Sequence, residues 1–255
     1  MVQSGPQVDG HPPVSGSGPG AAIQLANVVC LGSVADSSAP GVSLSVPPGQ
    51  SLALLSQPRG TATELFDVIA GLNRPLRGQV WVDGVAVNRL GGTDLDRYRA
   101  RRGLVSSRFP LLPSLSVTDN VLAAPPAGRA AAPTAELAVR LLELTGATSR
   151  SGPARLLSAE DQRRVLIARA LAPSPRLLLA EDPVPGLEPR AADRVLDALM
   201  DAQALLGFTL VLTAGRTVTA ARCQRRVLIT HGTVAEDELT SGDDAWTRGR
   251  IDRIG

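Results

Sequence analysis

Residues 54 to 72 read "LLSQPRGTATELFDVIAGL": an apolar run, a short loop, then a stretch with Leu65, Val68, Ile69 and Leu72 on one helical face. A strand that feeds a loop and a helix start is the layout of a phosphate cradle. The first amides of a helix have no partner within it and point at an anion. Such a loop wants glycines, so that the amides approach closely, and a lysine to neutralise the phosphate oxygens. This one has a single glycine, Gly60, and no lysine; its one basic side chain, Arg59, precedes the turn. Thr61 and Glu64 have the spacing of a capping box, in which the hydroxyl caps the helix and the carboxylate reaches back to it. That acid would oppose a bound anion. A carboxylate ~4 Å from a phosphate charge costs up to ~4 kcal/mol at an effective dielectric of ~20.

Lysine is missing from the whole chain. All 26 basic residues are arginine, which excludes a lysine phosphate clamp, Schiff base or general base anywhere. The formal charge of +2 makes no case for a nucleic-acid partner, and none is expected. Hydrophobic residues make up 44% and aromatics 2%, so a sizeable core must be built from Leu, Val, Ala and Ile. Cys30 and Cys223 lack metal-ligand spacing and read as reduced, buried thiols. No apolar run approaches the ~20 residues that span a bilayer. Residues 1–20, rich in Gly, Pro and Ser, read as a disordered leader, and residues 239–255 as a loose tail.

Around the loop, "AAIQLANVVCLGS" and "GVSLSVPPGQSLALLS" read as strands with a turn at Pro47 to Gly49. A helix from about Ala62 to Leu72 follows, then a hairpin signalled by Asp83-Gly84. From Phe109 to about Leu171 the pattern is helical. "RLLLAED" and "FTLVLTA" are short, continuous apolar strands of the kind buried on both faces, with a helix at about 190–206 between them. "RRVLITHGTVAED" closes as a further hairpin. This order predicts an α/β fold over residues 21–238: a parallel sheet core, an antiparallel β-subdomain near the front, and an inserted helical subdomain at 109–171.

Four segments then carry a resemblance. "VSLSVPPGQSLALLSQPRGTATELFDVIAGLNRPLRGQVWVDGVAV", "GLVSSRFPLLPSLSVTDNVLAAP", "LLSAEDQRRVLIARALAPSPRLLLAEDPVPGLEP" and "FTLVLTAGRT" follow one another as do the landmarks of an ATP-binding-cassette (ABC) transporter subunit. The chain is most similar to the lipoprotein-release, macrolide-export and cell-division branch, from about Ala22 to Asp237. The resemblance implies a P-loop NTPase-like (RecA-like) core with ATP and Mg2+ as cofactors. It also implies pairing with a like or related cassette subunit, as homodimer or heterodimer. The expected seat is an integral-membrane permease subunit, approached from the cytoplasm at the inner face of the cell membrane.

Each family motif is altered. The Walker A register runs from Ser56 to Thr63, with Ala62 where the lysine belongs and Thr63 as the remaining magnesium-type hydroxyl. Arg59, Gly60, Thr61 and Glu64 complete that loop. The Walker B acids are reversed: Glu181 takes the magnesium position, and Asp182, one methylene shorter, takes that of the catalytic glutamate. Ser107 holds the Q-loop position, Gly215 the switch-histidine position, Glu188 that of the D-loop aspartate, and Leu31 lies near the adenine-stacking one. Neither His11 nor His231, in its "THGT" turn, replaces the histidine. The signature reads Leu157, Ser158, Ala159, Glu160, Asp161; Ser158 and Asp161 have capping-box spacing, and two acids face the place of a phosphate. The expectation is a pseudo-ATPase that docks on a permease through residues 109–125, among them Leu111, Leu112 and Leu115. The alternatives are an ATP-hydrolysing subunit, with Thr63 and Glu181 on magnesium and Arg59 on phosphate, and a free-standing protein-interaction module.

Overall fold

The computed structural model describes residues 18–30, 40–57, 60–124, 132–147, 152–215 and 217–240. His11, Leu31, Arg59, most of the expected leader and nearly all of the expected tail lie outside the described residues.

The described chain opens with β1 (Ile23–Val29), β2 (Val42–Val46) and β3 (Ser51–Gln57), which leads into α1 (Thr61–Ala70). β4 (Arg77–Val82) and β5 (Val85–Ala86) turn at Asp83-Gly84, whose φ values of 52° and 76° are the left-handed pair that a two-residue hairpin requires. Then come α2 (Gly92–Ala100), β6 (Arg102–Val105) and the helical block α3 (Val117–Leu122), α4 (Ala135–Leu144) and α5 (Ala159–Leu171). β7 (Leu177–Glu181), α6 (Pro189–Leu206), β8 (Thr209–Thr213), the short α7 (Thr217–Ala220), β9 (Arg225–Thr230) and β10 (Thr233–Leu239) complete it.

The strands form two sheets. An antiparallel sheet runs β2-β1-β4-β5, and a six-stranded sheet runs β10-β9-β3-β8-β7-β6, parallel throughout except for β10. The Pro47 to Gly49 turn therefore does not join paired neighbours but hands the chain from one sheet to the other. The apolar runs follow from burial on both faces. Leu52, Leu54, Leu177, Leu179 and Val211 pack with α1 and the antiparallel sheet, while Ala53, Leu55, Leu178, Ala180, Leu210 and Leu212 pack with the helical block.

α2 and β6 have no counterpart in the sequence reading. α2 buries only Tyr98, whose hydroxyl donates to the Ile69 carbonyl at 2.5 Å. Its Arg99 donates Nε and Nη2 to the Gly71 carbonyl at 2.9 and 2.7 Å. α1 stops at Ala70 rather than Leu72, because Gly71 takes a left-handed cap with φ of 72°. The C-terminal ends of β3, β6, β7 and β8 meet at one edge of the parallel sheet, where open α/β sheets bind ligands.

Candidate functional site

A cleft of about 530 Å³ opens at that edge, lined among others by Gly60, Ala62, Thr63, Ser107, Glu181, Asp182 and Gly215. Tertiary folding thus gathers seven expected positions from four strand ends. Thr61 is buried, and neither it nor Glu64 lines the cleft. Ser158 stands elsewhere, at the start of α5.

The start of α1 differs from the capping box expected. Its cap is Gly60, at φ of 124°, with no side-chain cap, and the Glu64 amide makes an ordinary helical bond to the Gly60 carbonyl at 2.9 Å. Glycine tolerates that φ where threonine does not, so Thr61 becomes the first helical residue and Glu64 falls one place too far along to close a box. The nearby hydroxyl that serves this helix start is Ser56: its Oγ accepts from the Ala62 amide at 3.1 Å. The charge of Glu64 falls on Cys30. Burial chiefly, then Glu64 and Asp67, push that thiol up to about 12.

Glu181 is held by two donors on one oxygen. Oε2 accepts from Ser106 Oγ at 2.5 Å and from Arg108 Nε at 2.7 Å. The two terminal nitrogens of Arg108 grip Asp67 of α1, Nη2 to Oδ1 at 2.6 Å and Nη1 to Oδ2 at 3.1 Å, and Asn73 Nδ2 reaches Oδ2 at 3.2 Å. The Arg108 amide donates to Ser106 Oγ at 3.1 Å, and its guanidinium lies 5.6 Å from the Phe66 ring centre. The Asp67 and Glu181 side chains are 9% and 16% exposed and the Arg108 side chain is 39% exposed, so two largely buried acids share an arginine that reaches solvent. Hydrogen bonding to Asp67 above all holds the guanidinium more firmly protonated. Sequence reasoning missed Arg108; its one signal is a polar "SSR" directly after a strand.

Asp182 adopts φ of 34°, and its amide donates to both the carbonyl and Oγ1 of Thr213 at 3.1 Å. A Cβ added at Gly215 would lie 3.5 Å from Asp182 Oδ2, so a side chain at 215 would touch that acid. Glu188 caps α6 without a side-chain bond.

At the signature, Ser158 caps α5 as its spacing predicts: Oγ accepts from the Asp161 amide at 3.1 Å and donates to Asp161 Oδ2 at 2.9 Å. Of the two acids expected to face a phosphate, Glu160 is paired with arginines. Glu160 takes Arg194 Nε and Nη2 at 2.8 and 2.5 Å and Arg164 Nη2 at 2.8 Å. Arg194's hydrogen bonds first, then Arg164's charge, hold its carboxyl below the ordinary value.

A second, apolar groove of about 490 Å³ lies between α2, β6 and the helical block, with Leu72, Leu104, Phe109, Leu112 and Arg169 on its walls. Phe109 and Leu112 are 38% and 48% exposed. Leu111 instead packs on the core and Leu115 does not line the groove, so of the three leucines expected here only Leu112 does. Arg169 steadies the wall by donating to the Pro110 carbonyl at 2.9 Å and to that of Phe109. No helix among the described residues is long and apolar enough to cross a membrane.

A family model described as "ABC transporter" matches residues 40–185. The methionine import ATP-binding protein MetN of Caulobacter vibrioides is 37% identical over 205 residues, 77% of this chain and 60% of that protein. The uncharacterized ABC transporter ATP-binding protein Rv0986 of Mycobacterium tuberculosis is 36% identical over 177 residues, 67% of this chain and 70% of that one. The dimeric structure of MJ0796, a bacterial ABC transporter cassette, matches with a TM-score of 0.73 at 23% identity, over 87% of this chain and 100% of that one. The last is a likeness of fold, and it agrees with the α/β architecture expected. The chain spans about 60% of the length of the MetN relative. None of these three names carries the lipoprotein-release, macrolide-export or cell-division branch.

Proposed function

The chain belongs to the ABC transporter family, and from that premise we propose that it is a cassette subunit without ATP hydrolysis, acting structurally or in regulation on a membrane permease. One observation carries this reading. At the lysine position stands Ala62, whose amide is already bonded to Ser56 Oγ, so the chain itself occupies part of the phosphate cradle. No lysine elsewhere can substitute. Gly215 brings no imidazole to Asp182, and Ser107 is too short to act as the glutamine would. The cassette domain is assigned to residues 21–238, with the helical subdomain at 109–171. Its working place is the cytoplasmic face of the membrane, paired with a second cassette subunit. The permease contact is assigned to the apolar groove at Phe109 and Leu112.

One observation favours a second reading, an ATP-hydrolysing subunit: the cleft of about 530 Å³ keeps Thr63, Ser107 and Glu181 together on its wall. Titration of the purified chain with magnesium-ATP separates the two. The proposed reading expects no saturable binding tighter than about 1 mM and no phosphate release. Turnover that Glu181→Gln abolishes would overturn it. Docking is tested by co-purification of an integral-membrane protein, which Leu112→Asp should release.

A further inference from the structure

We infer that Arg108 is a resident cation that takes the place of the divalent metal the family implies, so that this site neutralises its acids without Mg2+. The inference deepens the reading above and rests on its assignment of Glu181 to the metal position. Magnesium demands near-octahedral oxygen ligands at about 2.0–2.1 Å and is held through carboxylates. The residues present do not fit it. The described contacts of Glu181 converge on Oε2, which already serves Ser106 at 2.5 Å and Arg108 at 2.7 Å. Of the other carboxylates nearby, Asp67 is engaged at both oxygens by the same guanidinium, and Asp182 stands beside Glu181 on the cleft wall with its backbone bonded to Thr213. Among the described residues no group of three or more His, Cys, Asp or Glu side chains gathers at metal-binding spacing.

The character of arginine makes this arrangement permanent. A guanidinium does not lose its proton within a protein, so its charge cannot be set aside to admit a metal. A divalent ion at Glu181 must either lie beside a fixed positive charge or expel Arg108. Expulsion breaks three charge-assisted hydrogen bonds and leaves Asp67, which is 9% exposed, with the neutral Asn73 amide in place of a cation. The guanidinium also ties α1, the segment after β6 and the end of β7 into one unit, so its loss should loosen the cleft wall.

The test uses the full chain without nucleotide, with Mn2+ as a paramagnetic probe and Mg2+ in thermal melts. Wild type should melt within about 1 °C of the same temperature in EDTA and in about 10 mM Mg2+, with no saturable enhancement of water-proton relaxation by Mn2+. Arg108→Ala frees two carboxylates. It should melt lower than wild type in EDTA and regain several degrees in Mg2+, and adding Glu181→Gln should remove the gain. Arg108→Lys keeps the charge and should stay indifferent to metal. Stoichiometric Mn2+ binding by wild type would overturn the inference, and so would an Arg108→Ala protein that gains no more from Mg2+ than wild type does. If Arg108→Ala does not fold, the wild-type Mn2+ titration and the Arg108→Lys melts decide alone. Mn2+ binding without ATP turnover sinks this inference and leaves the proposed function standing. ATP turnover that persists in EDTA does the reverse.

Discussion

Asn120 is fully buried in α3, and its side chain organises the irregular segment that walls the apolar groove. Oδ1 accepts from the Leu112 amide at 2.7 Å, while Nδ2 donates to the carbonyls of Leu112 at 3.0 Å, Ser116 at 3.0 Å and, more weakly, Leu115 at 3.4 Å. Asn120→Ala removes three well-formed bonds. At about 1 kcal/mol net for each, the loss is about 3 kcal/mol. Leu112 is 48% exposed, so water can replace part of what its backbone loses, which sets a lower bound of ~2 kcal/mol. Asn120→Asp is the sharper perturbation. It keeps an acceptor for the Leu112 amide but turns an oxygen, and a buried charge, on two carbonyls, so it should cost at least as much as alanine. Urea midpoints at constant slope measure both, and amide exchange at Leu112 should speed up in each. A loss below about 2 kcal/mol for alanine, or an aspartate variant as stable as wild type, would mean that these bonds do not hold the segment.

Three further outcomes are expected. Gly78→Ala places a Cβ 2.3 Å from the Asn27 carbonyl oxygen at φ of 93°, and should cost more than about 2 kcal/mol in a thermal or urea melt. Burial holds the thiols of Cys30 and Cys223 up at about 12, so iodoacetamide at about pH 8 should label neither until denaturant unfolds the chain; labelling at the rate of a free thiol would contradict this. Glu160 is held below its ordinary value of 4.5 by Arg194 and Arg164. Its linked stability is therefore fully present above pH 4.5 and is lost as pH falls through the lower folded value. Glu160→Gln should flatten that acid limb in urea midpoints taken across it.

What the sequence made legible was whatever leaves a periodic or unbroken trace. β7 and β8 lie within a residue of the runs expected, because strands buried on both faces leave a nearly continuous apolar trace. α6 begins at Pro189, as a proline at a first helical position suggests. α2 left no such trace, since "GTDLDRYRA" buries one side chain and is fixed by bonds to the far end of α1. β6 has only four residues, two of them Arg102 and Gly103. The helix start at Gly60 was misassigned because a capping box and a glycine cap compete over adjacent residues, and spacing does not decide between them. Within the site, the gathered positions follow from strand order. The cations do not. Arg108 meets Asp67 across 41 residues and Glu181 across 73, and Arg194 meets Glu160 across 34, so local pattern contains no sign of either pairing.

Arg99 belongs to two places at once: it stands on the wall of the apolar groove, and it donates twice to the carbonyl of Gly71, the residue that caps α1. α1 is a rod of 10 residues, about 15 Å long, whose other tip forms part of the wall of the 530 Å³ cleft. A ligand seated against Arg99 would therefore bear on one end of a regular helix rather than on a loop, and Ala62 and Thr63 stand at its other end. The two hollows share a single structural member, one at each of its tips, whether or not any nucleotide is ever there.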